Sequence, residues 1–254
     1  MTIVTVLVSP EGIVLGADTQ TTISIRKKNE SGKILLNPVN FFRNAQKIFD
    51  ISINKNILAL SQFGNAFPGG KPLSNHVFSI RELLAKGNDS DLSTIESVSD
   101  KIIEYFSQFE DQQKQGLGFY VSGFDKENGK VVPCIRFIQF RKDTKGIFQI
   151  QNIQKVKVEG SKDYGLSWNG EGSWIISKLL KLSDKTQNIP QSSIPFHILS
   201  LQDGVELTEY LINTVIGFER FQTRFPTCGG KSIIAVLTPR NFTFIGNNEP
   251  NLLI

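Results

Sequence analysis

The stretch TIVTVLVSPEGIVLGAD, Thr2 to Asp18, decides how the rest of the chain is read. From Thr2 to Val8 the residues are almost all β-branched or Leu, and Ile13 to Ala17 repeats that character. Such side chains suit a pleated strand. Ser9-Pro10-Glu11-Gly12 between them has turn chemistry, so the segment predicts a β-hairpin that starts at Thr2. Both arms are apolar on successive as well as alternating residues, the pattern of a sheet covered on both faces. The first strand is therefore expected to be buried.

Working outward, Ile25 to Asn40 is polar and rich in Lys, Asn and Gly, and reads as an exposed excursion that interrupts the sheet. Lys47 to Ile51 and Asn56 to Ser61 predict a second strand pair. Helices are expected from about Ser74 to Lys86 and from about Leu92 to Phe109, where Ile95, Val98, Ile102 and Phe106 recur at helical spacing. Gly118 to Gly123, Val131 to Arg141 and Phe148 to Val158 have strand composition. Two further helices follow, Ser173 to Leu182 and Gly204 to Phe218, the second preceded by capping chemistry at Ser200 to Asp203. Gly229-Gly230 opens a last hairpin, Ile233 to Leu237 with Phe242 to Ile245. Strands and helices in blocks favour antiparallel sheets with helices on their outer faces, an α+β class. The length of 254 residues suits one domain, 1–254.

The chain carries 39% hydrophobic and 20% charged residues, as an ordinary globular protein does. Its formal net charge of +4 is spread along the length, and the densest basic run, Arg26-Lys27-Lys28, lacks interleaved aromatics. No nucleic-acid partner is expected. Cys134 and Cys228 do not make a disulfide framework, and His76 and His197 share no metal-ligand spacing, so neither a metal nor another cofactor is expected. No apolar run reaches membrane-spanning length, and the start has no secretory pattern. The expected location is the cytoplasm, with no membrane partner.

A threonine opening a buried strand can carry nucleophile and base in one residue, its hydroxyl and its α-amine. A free α-amine has an ordinary pKa of about 7.7–8.0 and accepts a proton near neutral pH, which an amide nitrogen does not. Thr2 is thus a candidate nucleophile once Met1 is removed, as aminopeptidases do when the next residue is small.

TIVTVLVSPEGIVLGADTQTT resembles the opening of proteasome β-subunits: a leading Thr, a β run, an acidic-Gly turn, a strand ending in Ala-Asp and a trailing Thr. Gln46-Lys47-Ile48-Phe49, Leu60 to Ala66, Tyr120 to Asp125, Gly170 to Ser173 and Cys228-Gly229-Gly230 extend the likeness over most of the chain. By this resemblance the chain looks like a bacterial-type proteasome homologue among N-terminal-nucleophile hydrolases. The resemblance implies a four-layer α-β-β-α sandwich and a threonine-type peptidase with Thr2 as nucleophile. It further implies Asp18 and Lys47 as its charged support, the Gly64 N–H as oxyanion donor, and Thr22 as the residue that aligns an extended peptide. The family has Ser where Glu171 stands, and Asp and Ser where Phe225 and Cys228 stand, so that Glu171 or Ser173 is expected to reach the amine instead. The implied partners are a peptide or unfolded protein substrate, a homo-oligomeric ring or spiral, and an ATP-dependent unfoldase. Two alternatives stay open, a non-catalytic ring subunit or scaffold and an amidase acting on a small molecule.

Overall fold

The computed structural model describes residues 2–28, 34–54, 56–87, 94–143, 146–153, 159–160, 164–180 and 194–246. The opening hairpin is β1 (Ile3–Ser9) and β2 (Gly12–Asp18), with every residue of both strands buried. Period-two alternation divides their side chains. Val4, Val6 and Val8 of β1, with Ile13, Leu15 and Ala17 of β2, enter one apolar cluster, while Ile3, Leu7 and Val14 enter another. Burial on both faces is what the unbroken apolar run encodes.

The hairpin is central in an antiparallel sheet. β1 pairs on its other side with β11 (Gly165–Gly170), which β10 (Glu159–Gly160) flanks, and β2 pairs with β12 (Ser232–Thr238), which β13 (Asn241–Phe244) flanks. A second antiparallel sheet has the order β5 (Ile48–Asp50), β6 (Leu58–Gly64), β7 (Leu117–Glu127), β8 (Lys130–Lys142) and β9 (Phe148–Ile153). The fold thus combines antiparallel sheets with few helices. Of the strand expected from Phe148 to Val158, residues 154–158 lie outside the described residues, as do residues 88–93 and 181–193 at the edges of two expected helices.

Three apolar clusters hold these elements together. α1 (Leu73–Ala85) and α2 (Ile95–Ser107) bury Ile80, Leu84, Ile102 and Phe106 against Leu60, Phe119 and Phe140 of the second sheet. Phe63, Tyr120 and Phe137 of that sheet meet the inward residues of β1 and β2 in the next cluster. Beyond the hairpin, α4 (Ser173–Leu180) and α5 (Leu201–Arg220) supply Ile175, Ile176, Leu211, Ile212 and Val215. The Tyr120 hydroxyl hydrogen-bonds Ser167 Oγ at 2.9 Å, tying β7 to β11 across the sheets, and burial pushes the phenol up to about 12. Among the described residues no helix is long and apolar enough to cross a membrane.

Three segments differ from the sequence expectation. The polar run from Ile25 to Asn40, of which residues 29–33 lie outside the described residues, is not a plain loop where it is described: β3 (Thr21–Lys28) and β4 (Ile34–Phe42) form a two-stranded ribbon with a bulge at Ile23/Ser24. A hairpin satisfies its own backbone hydrogen bonds, so polar composition does not prevent it; Ile25 and Val39 remain about half exposed. β11, Gly-Leu-Ser-Trp-Asn-Gly, has no strand signature, because Gly, Ser and Asn have low β propensity; pairing with β1 holds it extended. A short helix, α3 (Asp111–Lys114), also follows α2.

His76 on α1 is a buried titratable group in the helical layer. Its Nε2 lies 2.9 Å from the Pro68 carbonyl oxygen and must donate there, so Nδ1 accepts from the Tyr105 hydroxyl at 3.0 Å. Burial, aided by the Lys71 charge, holds the imidazole below its ordinary 6.5, although the Pro68 carbonyl opposes this. A base depressed on folding binds its proton more readily when unfolded. Its contribution is therefore complete above about pH 6.5 and declines as the pH falls below that value. Thermal unfolding is expected to show Tm declining from pH 7 to pH 5, and His76→Gln should flatten that part of the profile; parallel profiles for the two chains would refute the assignment.

Candidate functional site

The first strand and the turn after the second converge on one buried carboxylate. Asp18 closes β2 and is fully buried. Its Oδ1 accepts from the Ile3 amide at 3.0 Å and from Lys47 Nζ at 2.6 Å. Its Oδ2 accepts from the Gln20 amide at 3.2 Å and the Gly229 amide at 3.0 Å. Four donors use the acceptor sites a carboxylate offers. Three of them are backbone amides, from the start of β1, the β2–β3 turn and the segment before β12.

Lys47 precedes β5 and is 3% exposed, so its charge has little access to water. The ammonium donates to Asp18 and to the Gln20 carbonyl oxygen, also at 2.6 Å. Its third N–H has no partner among the described residues. Removing one member of a buried pair typically costs about 3–5 kcal/mol, because it strands the other charge.

Thr2 is buried at the mouth of this cluster, one residue before the Ile3 amide that Asp18 holds. Its carbonyl oxygen accepts from the Glu171 amide at 2.9 Å. Gly170, paired with Ile3, has φ +117, and a Cβ there would collide with the Thr2 carbonyl oxygen. Only glycine combines that backbone with so close an approach. Met1 lies outside the described residues.

The other residues expected from the sequence fall at varying distances from this centre. Glu171 joins through its backbone amide, while its side chain is exposed. Ser173 begins α4; its carbonyl oxygen accepts from Trp168 Nε1 and Ser177 Oγ, each at 3.0 Å. Thr22 lies half-buried on β3, and its hydroxyl accepts a long hydrogen bond from Gln20 Nε2 at 3.4 Å. Gly64 ends β6 with φ +81 and is exposed. It reaches the cluster through its strand, because the Gln62 amide donates to the Lys47 carbonyl oxygen at 2.8 Å. Phe63 before it packs in the apolar cluster with Ala17 and Ile48, stacked on Phe137 with centroids 5.4 Å apart.

Several contributors were not expected as site residues. Gln20 and Gly229 act through backbone atoms. Behind Gly229 lies Glu219, fully buried on α5, whose carboxylate accepts from the Thr227 amide at 3.0 Å and hydroxyl at 2.9 Å and pairs with Arg224. It fastens the loop that carries Gly229. A readable signal existed: Leu211, Val215 and Glu219 share one helical face, and a charge on an apolar stripe calls for a partner. Among the described residues no group of three His, Cys, Asp or Glu side chains converges as a metal site.

Cys228 is buried beside these acids. Burial first, then the Asp18 carboxylate, pushes its thiol up to about 12, with Lys47 opposing. It is a neutral packing group at physiological pH.

No family model and no curated protein matches the chain. Solved structures do. An Anbu (Gly-1) mutant from Hyphomicrobium sp. strain MC1 is 15% identical with a TM-score of 0.51, covering 98% of this chain and 89% of that one. An Anbu protein described as an ancestral β-subunit, from Yersinia bercovieri, is 11% identical with a TM-score of 0.53, covering 98% and 88%. At such identities the likeness is one of fold. It corrects the reading of the chain as a bacterial-type proteasome β-subunit: these two structures that share its fold are Anbu proteins. The opening motif could not separate the two, because a buried β run ending in Ala-Asp reports how a central hairpin packs.

Two outcomes follow from this geometry. Gly170→Ala should lower stability by roughly 1–3 kcal/mol in urea unfolding, since the β-carbon must displace the Thr2 carbonyl; an unchanged midpoint would contradict the close approach. Iodoacetamide at pH 8 should leave Cys228 unmodified in the folded chain and alkylate it after denaturation, as peptide mass mapping would report.

Proposed function

We propose that the chain is a threonine-type peptidase built on an Anbu-like fold, with Thr2 as nucleophile after removal of Met1. The observation that carries this reading is the sharing of Asp18 Oδ1 between the amide that follows Thr2 and the Lys47 ammonium. That sharing brings a buried positive charge to the residue whose hydroxyl would attack. In this mechanism the free α-amine takes the hydroxyl proton as Oγ attacks a peptide carbonyl, then delivers it to the leaving amine. The unused N–H of Lys47 favours the oxygen as it gains negative charge, and Asp18 offsets the cost of burying that ammonium. Gly64 supplies an N–H to the oxyanion, and water releases the acyl-threonine ester. Thr22, on the β3–β4 ribbon, would align an extended substrate through backbone hydrogen bonds.

The same reading takes residues 1–254 as one domain and the three apolar clusters as the seams of a four-layer α-β-β-α stack. By analogy with the fold-mates it places the chain in a proteasome-related role, as a homo-oligomeric ring or spiral in the cytoplasm acting on peptides or unfolded proteins. An ATP-dependent unfoldase would feed it.

Intact mass and covalent labelling test the nucleophile. The purified chain should lack Met1, and a threonine-directed epoxyketone should add once, at Thr2. Lys47→Ala should lower turnover of a fluorogenic peptide at least ~100-fold. Lys47→Arg should not restore it, because a planar guanidinium does not replace a compact ammonium. Near-UV circular dichroism reports the folded fraction of each. Quantitative retention of Met1 would sink the mechanism and leave a non-catalytic subunit as the better reading; turnover unchanged in folded Lys47→Ala would remove Lys47 from it.

A further inference from the structure

A cavity of about 530 Å³ opens beside the Asp18–Lys47 pair. Two of its wall residues belong to the cluster already described: Gln20, whose carbonyl holds Lys47, and Gly229, whose amide holds Asp18. The rest of its lining is mixed: Ile216, Pro226 and Cys228 supply apolar surface, and Arg43, Arg220 and Lys231 supply charge, with no Asp or Glu among the described lining residues. None of the three cations is ion-paired among the described residues. The acids nearest the buried Cys228 floor, Asp18 and Glu219, are already committed to Lys47 and Arg224. The positive wall is therefore not compensated from below.

The wall is also braced. Thr19 knits its two main segments together: its carbonyl oxygen accepts from the Ala45 amide at 2.8 Å, its amide donates to the Gly229 carbonyl oxygen at 3.2 Å, and its hydroxyl accepts from the Lys231 amide at 2.8 Å. Arg43 lies 5.0 Å over the centroid of Phe41, and Arg220 lies 5.7 Å from that of Phe221. Rings under guanidinium groups limit the arcs these long side chains sweep. A concave site with three unpaired cations on braced backbone suits an anion.

We propose that this cavity receives a carboxylate of the peptide substrate, and so gives the site a preference for acidic peptides. The proposal rests on the peptidase reading for the identity of its ligand. An extended peptide advances about 3.3 Å per residue. The wall begins at Gln20 and Gly229, which hold Lys47 and Asp18, so an acidic group a few residues from a carbonyl held at Thr2 would be the one to meet it. A carboxylate can come from a Glu or Asp side chain or from the peptide's own C-terminus.

Binding to the full chain carrying Thr2→Ala separates these sources without turnover. Three labelled peptides of equal length serve as probes in fluorescence anisotropy: one with two adjacent Glu residues and an amidated end, its Gln counterpart, and that Gln peptide with a free C-terminal carboxylate. At low salt at least one carboxylate-bearing peptide should bind about 10-fold tighter than the Gln amide, and about 0.5 M salt should shrink the gap. Which of the two gains affinity identifies the side chain or the terminus as the source. Arg220→Gln with Lys231→Gln should reduce the preference to less than about 2-fold. These side chains are exposed, so the fold should tolerate the change; Arg43→Gln alone serves as a second variant. Equal affinities for all three peptides, or a preference untouched in both folded variants, would overturn the proposal. Epoxyketone labelling of the Thr2 chain is scored separately. A carboxylate preference without labelling keeps the cavity's role and removes the peptidase reading, and labelling without a preference does the reverse.

Discussion

The buried carboxylate of Asp18 is the constraint on which the site depends. A carboxylate withdrawn from water needs each of its acceptor positions filled. Asp18 fills them with the Ile3, Gln20 and Gly229 amides and the Lys47 ammonium. Those donors come from four places in the chain, so satisfying one side chain also pins β1, the β2–β3 turn, the residue before β5 and the loop before β12 to one another. Lys47 is bound by the same logic in reverse, since its charge is tolerable only beside Asp18 and the Gln20 carbonyl. Hydrophobic burial brings the sheets together, but it is direction-free. The polar centre sets how they meet at this end.

Around that centre the supporting groups are arranged in successive contacts. Glu219 fastens Thr227, the next residues carry Gly229 to Asp18, and Thr19 ties Gly229 and Lys231 to Ala45. On the other side of Thr2, Gly170 and the Glu171 amide fix its carbonyl. Thr2 is thereby held from both directions, through its carbonyl by β11 and through the following amide by Asp18. The nucleophile proposed for this position requires such positioning, because small misplacements weaken every interaction aimed at the reacting atoms.

The positive cavity stands in contrast to this saturated centre. Asp18 has no acceptor left over, whereas Arg43, Arg220 and Lys231 face a concave space with no acid among the described residues of its wall. Charge is thus balanced at the buried pair and unpaired among the described residues at the cavity, and the two regions share Gln20 and Gly229.

Much of the fold was legible in the residues. The unbroken apolar runs of β1 and β2 announced strands covered on both faces, and helical spacing located α1, α2 and α5 to within a few residues, because burial repeats at the period of the local backbone. Residue chemistry brought Thr2 forward as a candidate, and a family resemblance brought Asp18 and Lys47. Composition misled where tertiary pairing overrode it, at the polar β3–β4 ribbon and the Gly-rich β11. The sequence by itself thus determined most of the strands and helices and marked Thr2 as a chemically apt side chain, since both are properties of local pattern and residue type. Only the tertiary structure decided that residues 18, 47 and 229 share one carboxylate, that Glu171 contributes an amide in place of its acid, and that three scattered cations line one cavity. Backbone amides and long-range proximity leave no signature in residue identity.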